Sequence, residues 1–454
     1  METRGGSAEQ LRRRYQAPSA LSRELLAKMV SKYQRWFSVY LKPVFFLVAR
    51  IINERRLRNY PRLILLSVWI VLLVNLTLHR GWLGGVSGQV IGSDFITLYA
   101  AGWLYRADIG CLYDFEAQES VQQALILPTA LPGLNPYISP PYVAGAYSIF
   151  THLPLAVAFV AWTLLTLLFI ALAAWLSVRF LAPLWLAQAG LTGRQALVIL
   201  ASSLPFVEGW QVGQNHSLTL LLMTGMTVST LFGHWYLAGV LAGLLLYKPQ
   251  FVLGFLILWL VWRKPQAWLG FLSVAVPWAG IVVLSHGLTP YLDYLAISDQ
   301  LLQLPYAPGF PAFLMVTPYG LLSTALPQAA SPIIQFLCSV WTLLAAMGLV
   351  WYAYRSRQVP LAERRAALAL ALLYPLVATP YALLHDLLIL FLVLLLMSAR
   401  RSFSDRLLYV SIAVYLGVLF LPLLTSPSRI ALVALIPLCL LGILLSNATT
   451  RWSV

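Results

Sequence analysis

The chain has 454 residues, 60% of them hydrophobic and 10% charged, with a formal charge of +15 and a mean hydropathy of +0.80. A soluble domain carries about a quarter charged residues. Composition therefore excludes a soluble globular enzyme and predicts an all-α polytopic membrane protein, whose helices satisfy their own backbone polar groups in lipid.

In chain order, residues 1–61 read as a basic cytoplasmic or interfacial segment. Through Arg62 the chain holds fourteen Lys and Arg against four acids, with Arg12-Arg13-Arg14 and Arg55-Arg56 as local clusters. This positive-inside pattern suits anionic membrane lipid as a partner and argues against nucleic acid. The first thirty residues lack the apolar core of a secretory signal peptide. "LSRELLAKMVSKYQRWFSVYLKPVFFLVARIINERR" reads instead as an interfacial amphipathic helix.

Residues 62–454 are predicted to form one integral membrane domain, starting with a span from Arg62 to Leu78. Further spans are expected near 137–152, 155–178, 195–208, 216–232, 237–262 and 267–285. Others follow near 332–354, 366–380, 383–398, 407–424 and 429–446. Two alternative threadings of 137–248 stay open. If "PPYVAGAYSIFTHLP" crosses, Arg179 and Arg194 lie outside; if it only dips in, they lie inside and Lys248 sits near the outer face.

Two segments do not read as spans. The loop 80–136 has only Arg80 and Arg106 as cations, against Asp94, Asp108, Asp114, Glu116 and Glu119, which places it outside. Its aromatic residues predict short helices along the membrane surface. Residues 286–331 form a second outer segment of similar character.

Polar residues in apolar surroundings are the candidates for chemistry, because burying them in a membrane is costly. Ser93-Asp94 precedes "FITLYAAGWLYR", so Asp94 reads equally as an N-cap and as a residue with a chemical role, and the two are compatible. Glu208, Gln211, Gln214 and Asn215 interrupt the apolar run 204–222, either in a short glycine-containing loop or facing a cavity. Lys248, followed by Pro249, predicts a broken helix and a buried cation in need of an anion, with snorkelling as the plainer alternative. His385-Asp386 opens a span, although adjacent residues on a helix point in different directions. The histidines lack ligand spacing, and Cys111, Cys338 and Cys439 support neither a disulfide framework nor a metal site. No nucleotide-binding loop or hydrolase motif is present.

The order of these features carries a resemblance. "SDFITLYAAGWLYRADIGCLYDFEAQ" is followed by "NPYISPPYVAGAYSIFTHLP", then "GQNHSLTLLLMTGM", "AGVLAGLLLYKPQ" and "YALLHDLLIL". Over residues 60–400 this resembles the polyprenol-phosphate-mannose-dependent glycosyltransferases of family 87, the PimE-like branch of the GT-C superfamily. The resemblance implies a GT-C-type bundle of eleven to thirteen transmembrane helices with its active site facing outward from the cytoplasmic membrane. It also implies a polyprenyl-phosphate sugar donor carrying mannose or arabinofuranose, and Asp94 as general base.

The chemistry agrees with that assignment. Inverting transfer needs one carboxylate to take the acceptor hydroxyl's proton, and cations or donors for the departing phosphate. Lys248 and His385 suit the phosphate; Glu208, Gln214, Asn215, Tyr99 and Asp386 suit the sugar or the acceptor, a glycolipid or glycan. Asp386 or Glu208 would serve as nucleophile if the reaction retained configuration. No cofactor or divalent metal is expected. The competing functions are a secondary transporter or flippase for a lipid-linked saccharide, which would show paired midplane charges and related halves, and a non-catalytic scaffold.

Overall fold

The computed structural model describes residues 54–78, 90–128, 133–182, 192–297, 300, 302–307, 310–359, 364–398 and, with interruptions, 410–449. The chain divides into two compact units after Asn59. The basic segment through residue 53, with its expected interfacial helix, lies outside the described residues, as do Arg400, Arg401 and Arg406. Helices make up the described structure, and no β-sheet forms there; an isolated bridge joins Met315 to Leu383. The protein is all-α and polytopic, as composition required.

Helix α1 (Glu54–Leu78) covers the first expected span and brings Trp69 against Trp210 in a tilted ring contact at 4.9 Å. The segment expected outside the membrane then folds into α2 (Ser93–Ala107) and α3 (Phe115–Ile126), two short helices as expected. Two of its acids are accounted for by local turns. Asp114 caps α3 by accepting from the N–H groups of Glu116 and Ala117, and Asp108 accepts from Gly110 N–H.

Next come α4 (Pro141–Tyr147), of seven residues, and a five-residue 3-10 turn, Ser148–His152. Together they reach about 20 Å, short of the ~30 Å hydrocarbon core. They pack on α2 instead, so the expected span near 137–152 is corrected to a segment that dips in.

The first long crossing helix is α5 (Leu155–Leu176), apolar on all sides and continued by a π turn to Leu181. Helices α6 (Gly193–Ala201) and α7 (Leu204–Val212) replace the span expected at 195–208, with a break at Ser202-Ser203. Then follow α8 (His216–Leu231), α9 (Trp235–Leu244), α10 (Leu253–Val261) and α11 (Pro265–His286). Helices α9 and α11 meet at backbone distance, the small-residue packing common in membranes; a Cβ on Gly239 would lie 1.9 Å from the Ala267 carbonyl oxygen. Short helices α12 (Thr289–Ala296) and α13 (Pro318–Ala325) lie in the second outer segment. The chain then runs through α14 (Ser331–Ser356), α15 (Arg365–Ala378), α16 (Leu390–Met397) and α17 (Leu435–Thr449). From Ala367 to Ala378 every residue of α15 is buried, which makes it the central helix. Among the described residues three apolar stretches, Leu155–Leu181, Pro265–His286 and Gln328–Ser356, are long and apolar enough to cross a membrane, and they leave large hydrophobic side chains such as Leu284 and Phe336 exposed.

Side-chain contacts sort the helix ends into two groups and decide between the two threadings. The Phe180 and Phe232 rings lie 5.8 Å apart, Lys264 sits 4.5 Å above the Trp235 ring, Arg364 4.8 Å above Trp262, and Arg365 donates to the Leu181 carbonyl at 2.8 Å. Residues 179–181, 232–235, 262–264 and 364–365 therefore share one end, the basic end. Since Trp235 and Trp262 lie within 6.5 Å of each other, the chain between them doubles back. The stretch expected as one span at 237–262 is thus a hairpin with Lys248 at its apex. This is the threading in which 137–152 dips in and Lys248 lies away from Arg179.

Candidate active site

Asp94 lies in the first turn of α2 but does not cap it. The N-cap is Gly92, in the left-handed conformation at φ 78°, which lets its N–H reach the Gln211 carbonyl at 2.7 Å. A β-carbon is disfavoured at such an angle. The N-cap reading of Asp94 is corrected accordingly: its carboxylate is turned away from the α2 backbone toward two other segments. Oδ1 accepts from the Asn135 side-chain amide and Oδ2 from the Gln214 amide, each at 2.7 Å. A carboxylate can only accept, so both amides must present their nitrogen.

Both partners are themselves held. The Asn135 carbonyl accepts from Gln122 at 2.8 Å and Thr97 at 2.9 Å, and one turn before Gln122, Gln118 binds the Tyr137 N–H at 2.7 Å. The i, i+4 spacing of Gln118 and Gln122 on α3 thus stitches down the extended stretch that carries Asn135. Gln214 follows Gly213, whose φ of 75° ends α7 and whose carbonyl takes the Trp162 indole N–H at 2.9 Å. The Gln214 side-chain oxygen accepts from Asn215 N–H at 2.9 Å, which leaves its nitrogen for Asp94. Beneath, Phe95 sits among Tyr99, Tyr147, Phe150, Phe159 and Trp162, a rigid aromatic floor under the acid.

Burial raises the Asp94 carboxyl above its usual range, opposed by the charge of His385, reinforced by Glu208, and opposed again by the Asn135 hydrogen bond and Lys248. Such a shift moves a carboxylate toward the basicity that proton abstraction near neutral pH requires. Asp94 nevertheless keeps part of its surface accessible.

The other charges form two pairs within electrostatic reach of it. Lys248 stands between two 3-10 turns, where Pro249 breaks the helix as expected, and binds Asp386 at 2.8 Å. Its side chain is 12% exposed and directed inward, so it does not snorkel. The second Asp386 oxygen accepts from Leu383 N–H at 3.0 Å. His385 Nδ1 contacts Glu208 Oε2 at 3.0 Å, whereas its Nε2 lies 3.8 Å from Asp386, beyond a hydrogen bond. Glu208 is buried in α7, so the loop between α7 and α8 is confined to 213–215.

Asn215 Oδ1, His216 Nε2 and Ser217 Oγ, at the start of α8, are buried without a protein partner among the described residues. Such atoms keep hydrogen-bonding capacity that a water or a ligand can use. Tyr381 lies close enough to Asp94 and Asp386 to feel both charges, and its burial and their repulsion raise its phenol, keeping it a donor.

The structure therefore brings together Asp94, Glu208, Gln214, Asn215, Lys248, His385 and Asp386. Tyr99 stands apart: its ring joins the aromatic floor, and its hydroxyl donates to the Leu153 carbonyl at 2.8 Å. Asn135, His216 and Tyr381 were not singled out by sequence, although they stand in the stretches "NPY", "GQNH" and "YALLHD". Among the described residues no group of three His, Cys, Asp or Glu is arranged to hold a metal.

The family model for glycosyltransferase family 87 matches residues 137–380, more than half of the chain. The chain belongs to glycosyltransferase family 87. Membership makes it a membrane glycosyltransferase and sets aside the carrier and scaffold readings. No curated protein and no solved structure matches it. The matched range contains Glu208, Gln214, Asn215 and Lys248, whereas Asp94, Asn135, His385 and Asp386 lie beyond it and join the family 87 segment only through tertiary contacts.

Proposed function

We propose that this family 87 enzyme transfers a sugar with inversion from a polyprenyl-phosphate donor to an acceptor hydroxyl, with Asp94 as general base. The observation that carries this reading is the state of Asp94. It is a carboxylate of raised basicity, gripped once on each oxygen by a neutral amide, partly open, and coupled to the cations of two other pairs. Two amide donors leave further lone pairs on the carboxylate, so it can accept a proton without giving up its orientation.

In the proposed reaction the acceptor oxygen attacks the anomeric carbon as its proton passes to Asp94, and the bond to the donor phosphate breaks on the opposite face. Lys248 and His385 stabilise the charge that develops on the leaving phosphate. Asn215, His216 and Ser217 offer unpartnered polar atoms for sugar hydroxyls. Inversion is favoured over retention because the other two carboxylates are engaged, Asp386 by Lys248 and Leu383, and Glu208 by His385. The resemblance makes mannose the first sugar to test and arabinofuranose the second. The basic end is assigned to the cytoplasmic side and the Asp94 cluster to the outer side, on the positive-inside rule.

The test is incubation of the purified protein with radiolabelled polyprenyl-phosphate mannose, and separately arabinose, in the presence of a membrane extract. The reading expects label in an acceptor glycan with inverted anomeric configuration, and none with Asp94→Asn. Transfer at the wild-type rate by Asp94→Asn would remove the base assignment, and a retained configuration would remove inversion.

A further inference from the structure

At the basic end, away from the Asp94 cluster, a groove of about 710 Å³ is lined by residues of α10 and α14. Leu260, Leu343, Met347 and Val350 line it with apolar surface, and all four are exposed on the outside of the bundle. Arg263 and Arg357 line it as well, with Trp351 and Tyr354 beside them. Arg357 stacks 5.2 Å from the Tyr354 ring. Among the described residues neither Arg263 nor Arg357 pairs with a carboxylate. The groove therefore combines an apolar trough with two guanidinium groups that have no carboxylate partner among the described residues.

The backbone at Arg263 gives a second, independent sign. The N–H of Lys264 closes onto the Trp259 carbonyl at 2.9 Å, a helix-ending motif that puts Arg263 in the left-handed region at φ 54°. Glycine takes that position without strain, and a side chain there is disfavoured. An arginine that stands where glycine would be easier points to a use for its charge.

We infer that this groove binds an anionic phospholipid of the leaflet that meets the basic end, its phosphate on Arg263 and Arg357 and an acyl chain along α14. From Leu343 to Tyr354 the helix rises about 17 Å, close to the ~15 Å that one leaflet contributes to a ~30 Å core. Two arginines that line one groove complement one phosphate, since guanidinium binds phosphate oxygens in a matching fork. Trp351 and Tyr354 sit at the level where amphipathic rings meet headgroups. The site is separate from the transfer chemistry.

Full-length protein in detergent, titrated with phosphatidylglycerol or phosphatidylcholine and read by native mass spectrometry and thermal unfolding, tests this. Wild type should retain phosphatidylglycerol with about tenfold or greater preference. Arg263→Gly with Arg357→Gln should lose most of that preference, although the basic N-terminal segment is intact in both proteins. Without lipid, Arg263→Gly should unfold at the same or a higher temperature, because glycine relieves the left-handed strain. An unchanged preference in the double variant overturns the site. So does a lower lipid-free unfolding temperature for Arg263→Gly, or tighter retention of polyprenyl phosphate than of phosphatidylglycerol.

Discussion

The two ends of this bundle use charge in opposite ways. At the Asp94 end, charges from distant parts of the chain are buried and assigned to one another: Lys248 to Asp386 across 138 residues and His385 to Glu208 across 177. At the basic end, Arg179 lies 5.4 Å from the Phe180 ring, Lys264 lies over Trp235 and Arg357 over Tyr354, side chains resting on aromatic faces of their own neighbourhood. A buried charge must have its partner fixed or it destabilises the fold; a charge at the lipid–water boundary needs only something to lean on. The first arrangement fixes buried groups relative to one another, whereas the second leaves cations resting on neighbouring rings.

The comparison is broken most directly at Asp94. Asp94→Asn keeps the shape and removes the proton acceptor, so turnover should fall about 10²–10⁴-fold. Donor binding should stay near wild type, while the unfolding temperature should fall slightly, because the new side-chain NH2 faces the amide nitrogen of Asn135 or Gln214. A loss limited to donor affinity would make Asp94 a binding residue.

The ion pair comes next. Lys248→Met or Asp386→Leu alone leaves a buried charge without its partner and should destabilise the protein by about 3–5 kcal/mol. The double variant should recover most of that stability, as judged by denaturation in detergent, but not transfer activity. Recovery of transfer would make the pair purely structural.

A subtler effect concerns pH. Asp94 must be deprotonated to act, so activity should fall on the acid side, with a limb above the usual carboxylate range because burial raises the group. Asn135→Ala removes a hydrogen bond that favours the charged form and should move the acid limb of the pH–rate profile to higher pH. Glu208→Gln removes a neighbouring negative charge and should move it lower. Shifts of the same sign in both variants would contradict the electrostatic account.

The smallest change belongs to the basic end. Arg179→Gln loses one exposed cation–ring contact, about 0.5–1 kcal/mol, and turnover should stay within twofold of wild type. A large loss of turnover there would mean that the two ends are coupled.

Composition and the spacing of apolar runs determined by themselves that this chain is an all-α polytopic membrane protein, with short helices between its first two long apolar runs. The reason is that lipid admits few alternatives to helices. The residues that cluster around Asp94, namely Glu208, Lys248 and His385-Asp386, were legible as candidates because each is a polar group in apolar surroundings, and Pro249 announced the break at Lys248. Which acid meets which base was not legible. Lys248 with Asp386, and His385 with Glu208, are neighbours only after the helices have packed. Asn135 went unseen because an Asn before Pro reads as turn chemistry, and only the grip of Gln122 and Thr97 on its carbonyl turns its amide to Asp94. The fate of 137–152 and the hairpin at 237–262 were likewise decided in three dimensions. Hydropathy counts apolar residues but says nothing of direction, whereas Trp235 against Trp262 and Arg365 on Leu181 record which helix ends lie together.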